Sequence, residues 1–137
     1  MSQENVAVIA GMYAGFAAGD VAAVLGPMDP QIEWNEAENF PYADRNPYIG
    51  PDAVAEGVFG RIGAEWEGFG VTEIELVDGG DVVLAMGRYV GTYIATVESI
   101  SAQFAHVWRL RDGKVVRFQQ YADTAQVNAA VSGERAL

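Results

Sequence analysis

All five prolines of this chain, Pro27, Pro30, Pro41, Pro47 and Pro51, fall within residues 27–51. Proline removes a backbone donor and fixes φ, so it belongs at turns, strand edges and helix starts. The window therefore divides the chain. Before it, Val6, Ile9, Tyr13 and Phe16 recur at three- and four-residue spacing behind Ser2, a candidate N-cap, which predicts a helix. Gly19-Asp20 reads as a stop and a new cap, and residues 20–28 as a short second helix. Inside the window, residues 31–38 suit a short strand and 39–50 a loop carrying Phe40, Tyr42 and Tyr48.

Residues 50–66 predict a third helix with Pro51 near its first position. Val54, Val58, Ile62 and Trp66 repeat every four residues along one side. Gly57, Gly60 and Gly63 match neither the dinucleotide nor the phosphate-loop spacing; they read as a small-residue face for close helix–sheet approach. From Phe69 onward no proline interrupts the chain, and strands are expected at 69–77, 82–94, 99–110 and 114–122. Asp123 followed by Gln126 is a capping-box variant that opens a last helix. Helices first and an antiparallel meander after them predict an α+β domain over residues 1–137, with helices covering one face of a curved sheet.

Composition narrows the function. The net charge is −11, with eleven acidic and two basic residues in 1–70 and eight and six in 71–137. No basic stripe exists to release counterions, which argues against nucleic acid. No apolar run approaches the roughly 20 residues of a membrane span, and the start of the chain lacks a signal-peptide pattern, so a cytoplasmic and bacterial setting is expected. The chain has no cysteine, which removes thiol chemistry. One histidine and scattered carboxylates lack a metal-ligand spacing. Neither a metal nor another cofactor is expected.

That histidine, His106, lies in the terminal hairpin "FAHVWRLRDGKVVRFQQYAD". A two-residue Asp112-Gly113 loop would pair His106 with Gln119 and mix apolar with charged groups on both faces. A three-residue loop over 111–113, with Gly113 left-handed, would pair Trp108 with Val116 and His106 with Phe118. Because a one-residue slip exchanges faces, segregation favours the three-residue loop. Phe104, His106, Trp108, Phe118 and Gln120 then share the helix-covered face. Arg109, Arg117, Gln119 and Tyr121 share the other with Ala105, Val107 and Val115, a mixture suited to a homodimer interface.

The strand "IEWNE", the helix start "GPDAV" and the ending "HVWRLRDGKVVRFQQYADT" resemble SnoaL-like proteins of the nuclear transport factor 2-like and ketosteroid-isomerase-like superfamily. The resemblance implies a cone: a curved antiparallel sheet wrapped on N-terminal helices, enclosing a pocket, usually in dimers. It also implies a small hydrophobic, oxygenated ligand and proton-transfer chemistry of isomerase, cyclase or dehydratase type. The alternative is a non-catalytic ligand-binding or dimerisation module whose pocket is filled by side chains.

The same resemblance puts His106 where ketosteroid isomerases carry an oxyanion-hole acid. Gln120 stands where related hydrolases and cyclases carry an acidic group, and a glutamine cannot act as a base. The isomerase tyrosine falls on Met12, beside Tyr13, and the general base falls on Asn35 or beside Glu33 and Glu36. No known catalytic set is reproduced whole.

The candidate catalytic residues are therefore His106 and Glu36, the latter if the strand turns Trp34 and Glu36 inward. The candidate ligand-binding residues are Tyr13, Trp34, Tyr42, Tyr48, Tyr89, Phe104, Trp108, Phe118 and Gln120. His106 reads equally as a satisfied core histidine, and Glu36 as a solvated loop-edge carboxylate. Tyr42 and Tyr48, with Phe40, read as a lid or as a plug. If Ala85, Gly87, Tyr89 and Gly91 face inward, their small side chains leave room for a ligand beside Tyr89.

Overall fold

Helix α1 (Ser2–Ala17) is followed by a single turn and α2 (Val21–Leu25), and the chain then enters strand β1 (Met28–Asn35). The computed structural model describes residues 2–134. A loop leads to the short β2 (Tyr48–Ile49), and α3 (Pro51–Val54), a π-helical turn (Ala55–Phe59) and α4 (Gly60–Glu65) form one continuous helical stretch. Strands β3 (Trp66–Asp78), β4 (Val82–Tyr93), β5 (Glu98–Arg111) and β6 (Lys114–Ala122) precede α5 (Thr124–Ser132).

The strands form one open, curved six-stranded sheet in the order β2-β1-β6-β5-β4-β3. Every pairing is antiparallel except β1 with β6, which is parallel. This differs from the wholly antiparallel sheet expected. The long excursion through α3 and α4 to β3 returns the chain to the far edge, and β6 closes against the strand that started the sheet.

Local signals act as expected at two caps. Asp20 accepts from Ala23 N, and Asp123 accepts from Gln126 N. Ser2 is the first residue of α1 rather than the one before it, and its cap interaction lies outside the described residues. Residues 26–28 are not helical, because Met28 already begins β1.

The hairpin closes differently from the expectation. Arg111 pairs with Lys114 and Leu110 with Val115, so the loop is the two-residue Asp112-Gly113. Both residues have positive φ, 52° and 76°, the type I′ geometry that matches strand twist. A bulge at Val116 then shifts the pairing, giving Arg109↔Arg117, Trp108↔Phe118 and His106↔Gln120.

One extra residue restores the segregation that a plain two-residue hairpin would destroy. Phe104, His106, Trp108, Phe118 and Gln120 all face inward and are buried. Val115 is buried with them, not on the outer face. The aromatic face was legible, but its register was two residues off.

The small-residue reading of the third helix holds only at Gly57. A Cβ there would run into Tyr48 Cε2, so the close approach is to the ring of Tyr48 on the edge strand β2. Gly60 and Gly63 are exposed.

Candidate functional site

β4 turns Val83, Ala85 and Tyr89 inward. The room beside Gly87 is taken, however, since a Cβ there would lie 3.0 Å from Phe104 Cζ. Phe104 fills that space by stacking on Tyr89 at 4.4 Å and on His106 at 4.1 Å. The open space lies further along, between the sheet and the helices. A cavity of about 60 Å³ is lined by Tyr13, Trp34, Glu36, Tyr89, His106, Trp108, Phe118 and Gln120. It is partly open to solvent rather than sealed, so a ligand is not limited to that volume.

Of the expected ligand-binding residues, Tyr42, Tyr48 and Phe104 do not line it. The hydroxyl of Tyr42 donates to Glu65 Oε1, and that of Tyr48 to the Tyr42 carbonyl. Arg61 donates to Tyr48 and to Asp44, and its guanidinium lies 4.5 Å from the centre of the Tyr42 ring. These residues latch the 39–50 loop to the α4 side of the cavity, while Phe40 from the same loop reaches the wall.

Sequence reasoning missed Phe16, Phe59, Ile62, Phe69 and Val71 as wall residues. Helical spacing marks Phe16 and Ile62 as buried, but periodicity does not separate a wall from a filled core. Met12 also lines the cavity; it follows Ile9 by three residues on the buried side of α1.

His106 is held on both sides. The Tyr13 hydroxyl lies 2.5 Å from Nδ1 and the Tyr89 hydroxyl 2.5 Å from Nε2. Trp108 Nε1 donates to the Tyr13 oxygen at 3.0 Å, and Gln120 Nε2 donates to the Tyr89 oxygen at 2.7 Å. The amide of Gln120 is oriented in turn by Ala37 N–H, which donates to its Oε1.

Burial among Phe104, Trp108 and Phe118 pushes the imidazole pKa down to about 3, so the ring is neutral. Burial raises both phenols above their usual range, and they keep their protons. The direct hydrogen bond expected from His106 to a ligand therefore has no free nitrogen to make it.

Glu36 follows the last residue of β1 and is buried, at 2 % exposure. The inward turn of the strand is fixed by Trp34, which stacks on Phe118 at 3.8 Å. Asn46 clamps the Glu36 backbone, accepting from its N–H and donating to its carbonyl. Trp34 Nε1 donates to Oε2 at 2.9 Å.

Among the described residues no fully buried side-chain oxygen lacks a partner. No bond to Oε1 occurs among the described residues, so this oxygen keeps some exposure, and Glu36 lines the cavity. Desolvation raises this carboxyl to about 7, outweighing the Trp34 hydrogen bond and the Arg61 charge, which lower it. Glu36 and His106 share the cavity but not a hydrogen bond. No group of three or more His, Asp or Glu that could hold a metal occurs among the described residues.

A sheet curved over helices, with a mostly apolar cavity carrying a few converging polar groups, defines the nuclear transport factor 2-like fold. The sequence profile of the SnoaL-like domain matches residues 9–118, and the chain belongs to that family. A nuclear transport factor 2-like protein from Burkholderia thailandensis is 39% identical, covering 93% of this chain and 96% of its own, with TM-score 0.88. TerC, co-crystallised with polyporic acid, is 25% identical over 94% of this chain and 98% of its own, at TM-score 0.83.

A candidate polyketide cyclase from Xanthomonas campestris pv. campestris shares the fold at 19% identity. It covers 94% and 97% of the two chains at TM-score 0.82. Comparison with curated proteins gives no match. No helix among the described residues is long and apolar enough to cross a membrane.

Proposed function

We propose that this protein binds a small hydrophobic, oxygenated molecule in the cavity and moves a proton on it, with Glu36 as the proton-carrying group. One observation carries the reading: a buried carboxyl, bonded through one oxygen to Trp34, that lines a mostly apolar cavity. A carboxylate raised toward neutrality is suited to general acid–base work at physiological pH. The Tyr13–His106–Tyr89 group supplies hydrogen-bonding capacity opposite apolar walls, and His106 acts through the tyrosines rather than on the ligand. TerC, co-crystallised with polyporic acid, supports a hydrophobic oxygenated ligand class.

The test is solvent deuterium exchange into the methyl group of acetophenone in D2O. In this exchange the Glu36 carboxylate takes the proton α to the carbonyl and the enolate recovers a deuteron. Exchange should exceed that of buffer carboxylate, rise with pH through about 7 as Glu36 ionises, and disappear in Glu36→Gln. No exchange above buffer would leave the domain as a non-catalytic binding or dimerisation module.

We also propose that the outer sheet face joins two copies of the chain, in a cytoplasmic bacterial setting. Leu84, Val107 and Gln119 form one cross-strand row, and Met86, Ala105 and Tyr121 the next. Leu84 is 38% and Tyr121 57% exposed.

A further inference from the structure

The hydrogen bonds around His106 contain one proton more than they can use. A neutral imidazole has one N–H and one lone pair. The Tyr13 oxygen already accepts from Trp108, and the Tyr89 oxygen from Gln120. Those two donors are fixed: an indole nitrogen donates only, and Ala37 N–H holds Gln120 with its oxygen away from Tyr89.

If Nδ1 carries the proton, it donates to Tyr13 and the Tyr89 hydroxyl donates to Nε2. The Tyr13 oxygen then accepts twice, and its own O–H proton has no acceptor in the group. If Nε2 carries the proton, the roles exchange and the surplus proton belongs to Tyr89. Both hydroxyls belong to residues of the cavity wall.

We infer that the cavity offers its ligand a single phenolic O–H donor, and that the tautomer of His106 decides whether Tyr13 or Tyr89 presents it. The inference rests on the reading of the cavity as a ligand site. The group recognised is an acceptor oxygen, a carbonyl or enolate, because in either tautomer the surplus O–H is the one proton of the set without an acceptor. His106 is a positioning residue: it touches no ligand, yet its proton sets which wall of the cavity polarises the bound oxygen. Glu36, the other titratable group on the wall, is bonded to Trp34 and not to this set.

The chain contains one histidine, so nitrogen-15 histidine labelling gives a single imidazole whose tautomer is read directly by NMR. Tyr13→Phe leaves Nδ1 without a partner, and Nε2–H should then donate to Tyr89. Tyr89→Phe should give the opposite tautomer, with Nδ1–H on Tyr13. The tautomer shift tests the bonding, and the binding of a ligand oxygen separates this role from a purely structural one.

Acetophenone and α-methylstyrene, alike in shape but differing in the acceptor oxygen, probe the ligand side. Each single variant should keep the preference for acetophenone, and the double variant should lose roughly tenfold of it. The same tautomer in both single variants, or a charged ring, would overturn the inference. Equal binding of the two probes by the unmutated protein would overturn it while leaving the cavity a ligand site. Binding of neither probe would overturn the cavity reading and the inference with it.

Discussion

Replacing Glu36 by glutamine should make the protein's stability less sensitive to alkali, by an amount set by the burial of this one carboxyl. Its pKa rises from 4.5 in the open chain to about 7 in the fold, because desolvation disfavours the anion. The folded state therefore holds a proton that the unfolded state releases between those values. Stability from this group is complete below pH 4.5 and is lost as pH rises toward 7.

At about 1.36 kcal/mol per unit, the loss is roughly 2.5 kcal/mol between pH 5 and pH 8. The glutamine of Glu36→Gln would keep the Trp34 hydrogen bond and carry no charge. Urea unfolding of both proteins at pH 5.0 and 8.0 isolates the contribution, since the other carboxylates are common to both. Measurements below pH 5 are best avoided, as the sequence pI is about 4.2 and near-zero net charge favours precipitation. The variant should gain on the parent by roughly 2–3 kcal/mol between the two pH values. Parallel stability profiles would mean that Glu36 is solvated and would remove the basis for its catalytic role.

His106 has the opposite sign: held near 3 against 6.5 unfolded, it stabilises the fold above pH 6.5 and withdraws that stability as pH falls toward 3. In His106→Phe the loss on acidification should therefore shrink in an unfolding series run from pH 7 down to pH 5. The same variant should cost about 1–3 kcal/mol at pH 7, because it strands the Tyr13 and Tyr89 hydroxyls; a gain in thermal stability would contradict the bridge. Gly57→Ala should destabilise by about 1–3 kcal/mol in urea unfolding, since its Cβ meets a Tyr48 ring bonded to Tyr42 and Arg61. Sedimentation at tens of micromolar, a range matched to ordinary affinities, should give a dimer, and Tyr121→Glu a monomer. A monomeric parent would refute the outer-face interface.

The parts of this fold that were legible in the sequence are those governed by periodicity and backbone chemistry. Proline confinement located the irregular window, and alternation located the four long strands. Hairpin register escaped because segregation constrains only the parity of a pairing. A tight turn with a bulge and a longer turn without one expose the same faces, and only the positive φ at both Asp112 and Gly113 separates them. The parallel pairing of β1 with β6 joins residues far apart in the chain, such as Trp34 and Phe118, with no local signal.

For the site, residue type indicated the wall but not the bonding. Tyr42 and Tyr48 lie close to Phe40 in the sequence, yet Arg61, a cation from another element, draws them away from the cavity. A histidine between aromatic residues suggested either a core group or a ligand contact. Its two nitrogens are divided between a tyrosine from α1 and one from β4, a convergence of helix and strand that no spacing along the chain announces. Neither description of His106 then suffices: it is buried as a core residue is, and what it does to a ligand passes through the two phenols it orients.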